Sequence, residues 1–99
     1  MITWGFIPSY GDVVTVDQDF TINGLTICGA YILVTGASGN IVWENAQGNA
    51  QYLPNAQSGQ VYLLGARKIL SSGTVNGTNR TTSATGLAWL GINPLYNTP

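Results

Sequence analysis

The stretch from Leu25 to Glu44, LTICGAYILVTGASGNIVWE, constrains the fold more than any other part of the chain. Two apolar runs rich in Ile, Val, Leu, Tyr and Trp flank Gly36-Ala37-Ser38-Gly39-Asn40. β-Branched and aromatic side chains suit a pleated, half-buried surface. Gly and Asn in the break tolerate the positive φ angles of a tight reversal. The pattern predicts a β-hairpin with a short loop. In its first arm, Leu25, Ile27, Gly29, Tyr31 and Leu33 share one face, and Thr26, Cys28, Ala30, Ile32 and Val34 the other. Both faces are mostly apolar, which predicts a central strand covered on both sides. The return arm sets Ile41 and Trp43 opposite Val42 and Glu44.

Further strands are expected on either side of this ribbon. In Met1 to Tyr10, Ile2, Trp4 and Phe6 alternate with Thr3 and Gly5, and Pro8 ends the run because proline cannot donate to a ladder. So aromatic a segment is costly to leave in water. It is expected either as an edge strand of the chain's own core or as an arm docked on a neighbour. Gly11-Asp12 is read as a turn into Val13–Val16, Asp17-Gln18-Asp19 as a polar break, and Asn23-Gly24 as a turn after Phe20-Thr21-Ile22. Later strands are expected at Ala50–Leu53 (stopped by Pro54), Gln60–Gly65, Arg67–Ser71 and Thr85–Gly91. Ser72 to Ser83 is polar, with Asn76-Gly77 as a second turn signal. The tail Ile92 to Pro99 holds Leu95 and Tyr96, too apolar for a free tail and too rich in proline for a helix. Nothing repeats at the helical period. The expected fold is all-β, a small antiparallel β-sandwich or β-barrel with extended N- and C-terminal arms: residues 1–10 an arm or edge strand, 11–92 the β domain, 93–99 an arm.

Charge narrows the partners. Only 7% of the residues are Asp, Glu, Lys or Arg, against about 25% in ordinary soluble domains. A monomer relies on charged surface to stay dispersed, so much of this surface is expected to be covered by other subunits or to be of a kind that works without charge. Three cations, Arg67, Lys68 and Arg80, cannot neutralise a phosphate track or form a basic membrane-binding face. Neither nucleic acid nor a membrane is an expected partner. MITWGFIPSYGD has no basic region before an apolar core and no small-residue cleavage site. The chain is therefore expected to be made in a cytoplasm and to stay there or leave by lysis or assembly.

The residues for chemistry are few. The chain has no histidine, which excludes Ser-His and Cys-His nucleophile pairs and His-bearing metal sites. Cys28 is the single cysteine. It is read as a buried inert thiol, with an intermolecular disulfide as the alternative. Glu44, the one glutamate, would need Asp12, Asp17 or Asp19 beside it to act as a paired-carboxylate hydrolase. Asp17-x-Asp19 with Asp12 could offer oxygens to Ca²⁺, but the other ligands of a binding loop are missing and a solvated turn is expected. No glycine pattern matches a nucleotide-binding loop, so no cofactor is expected. Asn76-Gly77-Thr78 and Asn79-Arg80-Thr81 match the glycosylation pattern and are read as chance. Trp4, Trp43, Tyr52, Tyr62 and Trp89 could stack on sugars, although Trp43, Tyr62 and Trp89 sit among apolar neighbours and are read as core.

The order of elements from Asp12 to Gly91 resembles small bacteriophage virion proteins of the capsid spike-base or head-decoration (cement) type. It runs from a β-rich opening and an apolar strand into Gly36-Ala37-Ser38-Gly39-Asn40, then to a strand and the turn Gln47-Gly48. A small-residue loop with Gly59, the strand Ala66-Arg67-Lys68-Ile69-Leu70 and Ser72-Gly73-Thr74 before a Thr-rich strand complete it. Met1–Tyr10 and Asn93–Pro99 look like additions to that pattern, and Val75–Arg80 looks like an insertion. The resemblance implies a non-enzymatic structural protein of the virion that works through oligomeric β-domains on the capsid surface. The implied partners are the major capsid protein or other virion proteins, and the chain itself, as a homotrimer in preference to a pentamer. Ile2, Trp4, Phe6, Ile7, Leu95 and Tyr96 are the expected partner-interface residues. A tail-associated carbohydrate-binding or host-attachment module is the alternative.

Overall fold

A computed structural model describes residues 10–22, 24–27 and 30–91 of the chain. Its strands are β1 (Tyr10–Val13), β2 (Thr21–Ile22), β3 (Leu25–Thr26), β4 (Ala30–Val34) and β5 (Gly39–Asn45), then β6 (Ala50–Ala56), β7 (Val61–Leu70), β8 (Ser72–Val75), β9 (Thr78–Thr81) and β10 (Leu87–Gly91). Six strands form one sheet in the order β1-β10-β4-β7-β5-β6, while β2-β3 and β8-β9 are separate two-stranded ribbons. Every pairing is antiparallel. The all-β expectation holds. Both terminal arms, with Ile2, Trp4, Phe6, Ile7, Leu95 and Tyr96, lie outside the described residues, as does Cys28.

The expected hairpin does not form. The two apolar runs around Gly36–Asn40 become β4 and β5, and β7 stands between them. The loop that should have closed the hairpin is instead stitched to residues 82–86. Thr35 N–H donates to Gly86 O (2.9 Å) and Gly36 N–H to Thr85 O (3.1 Å), and Thr85 N–H returns to Ala37 O (3.1 Å). Asn40 O accepts from both Ser83 and Ala84 N–H. Glycine is required on both sides of this seam. A Cβ on Gly86 would lie 2.5 Å from Gly36 N, and one on Gly39 would lie 2.5 Å from Ala84 N.

β7 is the long strand that makes this arrangement possible. The expected strands at 60–65 and 67–71 are one element, with Gly65 at φ 65° between them. A glycine can take this left-handed backbone and let the strand kink without ending it. Val61, Tyr62 and Leu63 pair with Leu33, Ile32 and Tyr31 of β4. On the opposite edge, Ala66, Lys68, Ile69 and Leu70 pair with Asn45, Glu44, Trp43 and Val42 of β5. The registers of both neighbours shift near the kink. Each half of β7 therefore serves a different neighbour.

Smaller corrections have equally local causes. Gly11-Asp12 is not a turn but part of β1, because its backbone pairs with Leu90 and Trp89. Pro54 does not stop β6, which runs to Ala56. Since β6 is the last strand of the sheet, a proline can sit there with its missing N–H turned away from the ladder. The polar stretch after Ser71 forms the β8-β9 ribbon, turning at Asn76 (φ 51°) and Gly77 (φ 82°), the paired positive angles of a type I′ turn.

One core joins the two halves of the sheet. Ala30, Ile32 and Val34 of β4, Leu87 and Trp89 of β10, Ile41 of β5, and Ala66 and Ile69 of β7 belong to a single buried cluster. Phe20 closes it, its ring stacked on Trp89 at 5.3 Å and 15°. The alternation in β4 and β10 follows the strand period of two, with every second residue buried and the others half-exposed.

Candidate functional site

The charged side chains gather along the C-terminal half of β7. Lys68 Nζ lies 3.3 Å from Glu44 on β5 and 3.3 Å from Asp19, and Arg67 lies 3.3 Å from the other oxygen of Asp19. Glu44, a solitary carboxylate in the sequence, is the register partner of Lys68. Asp19 belongs to a strap, residues 14–20, that covers the edge of β7 which β4 leaves open. Asp17 N–H donates to Ile69 O (2.6 Å) and Phe20 N–H to Arg67 O (3.1 Å). Asp17, at φ 61°, accepts from the N–H (3.0 Å) and hydroxyl (2.7 Å) of Ser71.

These contacts set the titration of the cluster. The Ser71 N–H, then its hydroxyl, hold the Asp17 carboxyl below its ordinary range. Partial burial works to raise Asp19, but the bonds from Arg67 and Lys68 outweigh it and leave that carboxyl low. Asp19 and then Glu44 raise Lys68. All three shifts favour the charged forms, the pattern of a structural ion network.

A cleft of about 490 Å³ opens beside the strap, with Asp12, Asp17, Asp19 and Lys68 at its rim and Phe20 and Trp89 beneath. Asp12 Oδ1 accepts from Val13 N–H (2.7 Å), and the other two carboxylates are engaged as described. Asp17 is directed at Ser71 and Asp19 at the two cations, so the Ca²⁺ arrangement considered for these residues is not assembled; of the carboxylates considered as a pair, Glu44 and Asp19 do come together, with Lys68 Nζ between them at 3.3 Å from each. Among the described residues no three His, Cys, Asp or Glu side chains are placed to hold a metal ion.

The aromatic candidates for sugar stacking are also engaged. Trp89 is buried against Phe20. Trp43 and Tyr62 pack on the core, and the Tyr62 hydroxyl accepts from Gln57 N–H (2.6 Å). Tyr52 lies under the Arg80 guanidinium, 4.6 Å from the ring centre. Trp4 lies outside the described residues.

What remains is the outer face of the sheet, whose two halves differ. Over β5 and β6 the β8-β9 ribbon lies close. A Cβ on Gly73 would sit 3.3 Å from Ala50 and Leu70 and 3.4 Å from Val42, and Val42 is fully buried although it points away from the main core. Over β1, β10, β4 and the start of β7 the outer face is apolar. The register aligns two rows there, Val13-Ala88-Leu33-Val61 and Gly11-Leu90-Tyr31-Leu63. Apart from the Tyr31 hydroxyl, these side chains are wholly apolar. Val13 is 72% exposed and Leu63 69%. In β4 itself one face is buried and the other, with Tyr31 and Leu33, half-buried. No local sequence pattern marks this surface, because its residues come from four separated strands and only the register brings them into rows.

Comparison of the chain with protein-family models, with curated proteins and with solved structures finds no match.

Proposed function

We propose that the chain is a non-enzymatic structural protein of a phage virion, which decorates or cements the capsid or forms the base of a head spike by burying its apolar outer face against other virion proteins. The observation that carries this reading is the apolar outer face of β1, β10, β4 and β7, on which Val13 and Leu63 are largely exposed. Contiguous apolar surface of this kind marks interaction sites. All seven charged side chains lie elsewhere, in β1, the strap, Glu44, the end of β7 and Arg80 on the ribbon. An uncharged, flat face suits a partner that is equally apolar and permanently bound, as neighbours on a closed shell are. The particular setting, a capsid surface with the major capsid protein as partner, rests on the order of sequence elements from Asp12 to Gly91.

Mass spectrometry of purified phage particles tests the setting. The chain should be recovered in the particle fraction at many copies, and should be stripped from it by denaturant but not by high salt, since no charge pairing is invoked. Recovery only in the soluble lysate fraction would remove the basis for a virion role.

A further inference from the structure

We infer that the open edge of β7 at Val61–Leu64 is a strand-pairing site for a second copy of this chain, making a two-fold antiparallel dimer. Successive backbone groups of β7 point to opposite edges. Val34 N–H donates to Gln60 O (3.1 Å). In an antiparallel ladder such bonded pairs alternate with unbonded ones, so Ile32 and Tyr62 form the next bonded pair. Val61 and Leu63 then turn their N–H and C=O groups to the opposite edge. On that edge β5 pairs only from Ala66 onward, and among the described residues no group meets Val61 or Leu63 there.

The other free edges of the main sheet each carry a protection. In β1, Val14 N–H donates to Leu87 O, which turns the Val13 N–H outward, and the Asp12 carboxylate takes it at 2.7 Å. A two-fold pairing of β1 would also bring two Asp12 charges together. In β6, Pro54 has no N–H to offer an incoming strand. The vacated edge of the C-terminal half of β7 is filled by the strap. Proline, charge and self-capping are the usual protections of an edge strand. Val61–Leu64 has none of them, and it is β-prone and carries no charge.

The second copy is the occupant that this edge fits by itself. With Tyr62 on the two-fold axis, Val61 stands opposite Leu63 of the second copy and Leu63 opposite Val61 of the second copy. The outward groups then satisfy one another in two bonded pairs. Each exposed Leu63 side chain meets Val61 of the second copy, with the other Leu63 on the diagonal, and the apolar outer faces of the two copies become one continuous surface. A two-fold pairing differs from the trimer expected on capsid symmetry and would make dimers the unit from which a larger assembly is built. The inference adds the self-partner to the proposed function and can fail separately from it, because a monomer could still bind capsids and a dimer could bind none.

Sedimentation equilibrium of the full chain tests it, with circular dichroism to show that each variant is folded. The wild type should approach twice the monomer mass as its concentration rises. Leu63→Pro, which removes one outward N–H and leaves the bonds to β4 in place, should stay at monomer mass. Leu63→Lys, which sets like charges close to the axis, should do the same and serves if the proline variant does not fold. Val16→Lys, an apolar and exposed position on the strap, should dimerise as the wild type does. A wild type that remains monomeric, a dimer that survives Leu63→Lys, or a loss of dimer in Val16→Lys would overturn the inference.

Discussion

The Asp17 carboxylate holds both the backbone N–H and the hydroxyl of Ser71, at 3.0 and 2.7 Å, across 54 positions of sequence. This contact pins the strap to the end of β7, where the strap's backbone already bonds to Ile69 and Arg67. Asp17 sits at φ 61°, a conformation that Asn and Asp tolerate better than most residues. Asp17→Asn keeps the backbone preference and one acceptor, whereas Asp17→Ala loses both acceptors and strains the turn. Thermal unfolding should rank wild type above Asp17→Asn and Asp17→Asn above Asp17→Ala. Equal midpoints would show that the strap is held by its backbone bonds alone.

The same network sets the dependence of stability on pH. Asp17 and Asp19 are held below their ordinary range in the folded chain. Their stabilisation is complete above the unfolded carboxylate value of about 3.9 and is lost as the pH falls through the lower folded values. Lys68 is raised. Its contribution is complete below about 10.4 and is lost as the pH rises through its folded value. The unfolding midpoint should be level from about pH 5 to 9, where no group of the network changes charge, and should fall on both sides. Asp19→Asn should flatten both limbs, since Asp19 also holds Lys68.

The seam between residues 35–40 and 82–86 should be intolerant of added bulk. In Gly86→Ala the new methyl would meet Gly36 N at 2.5 Å in addition to the cost of φ 64°. In Gly59→Ala, at φ 84°, nothing lies within 4 Å. Denaturant titration should show Gly59→Ala losing about 1–2 kcal/mol, the cost of left-handed backbone, and Gly86→Ala clearly more. If the two losses match, the close approach of the segments is relieved without cost.

Ile69 tests whether one core serves both halves of the sheet. It is fully buried in the cluster that also holds Ile32 and Trp89. Ile69→Ala should cost about 2–5 kcal/mol in a urea titration, with one cooperative transition. Two separated transitions would show that the halves unfold independently.

Much of this fold was legible in the chain. Period-two alternation in Ala30–Val34 and Leu87–Gly91 carries through to buried and half-buried positions, and Asn76-Gly77 makes the turn that its φ preferences favour. The pairing of strands was not legible. Gly36–Asn40 has the composition of a hairpin loop, and nothing local reveals that its backbone bonds go to residues 82–86. The two halves of β7 look like separate strands because Gly65 interrupts the pattern, although the glycine is the device that keeps them one strand. Glu44 looks solitary because Lys68 reaches it only through the β5-β7 register. For the candidate site, the low charge of the chain pointed to a covered surface, but the surface itself emerges only when Val13, Ala88, Leu33 and Val61 are brought into line by three pairings.

Leu33 lies at the centre of the apolar outer face, between Ala88 and Val61, and its half-exposed side chain takes no part in the core cluster. Co-sedimentation of the purified chain with assembled capsids lacking it, for the wild type and for Leu33→Asp, tests the central claim most directly. The wild type should pellet with the capsids, and Leu33→Asp, folded by circular dichroism, should stay in the supernatant. Equal pelleting of both, or a folded wild type that remains in the supernatant, would contradict a structural role built on this face.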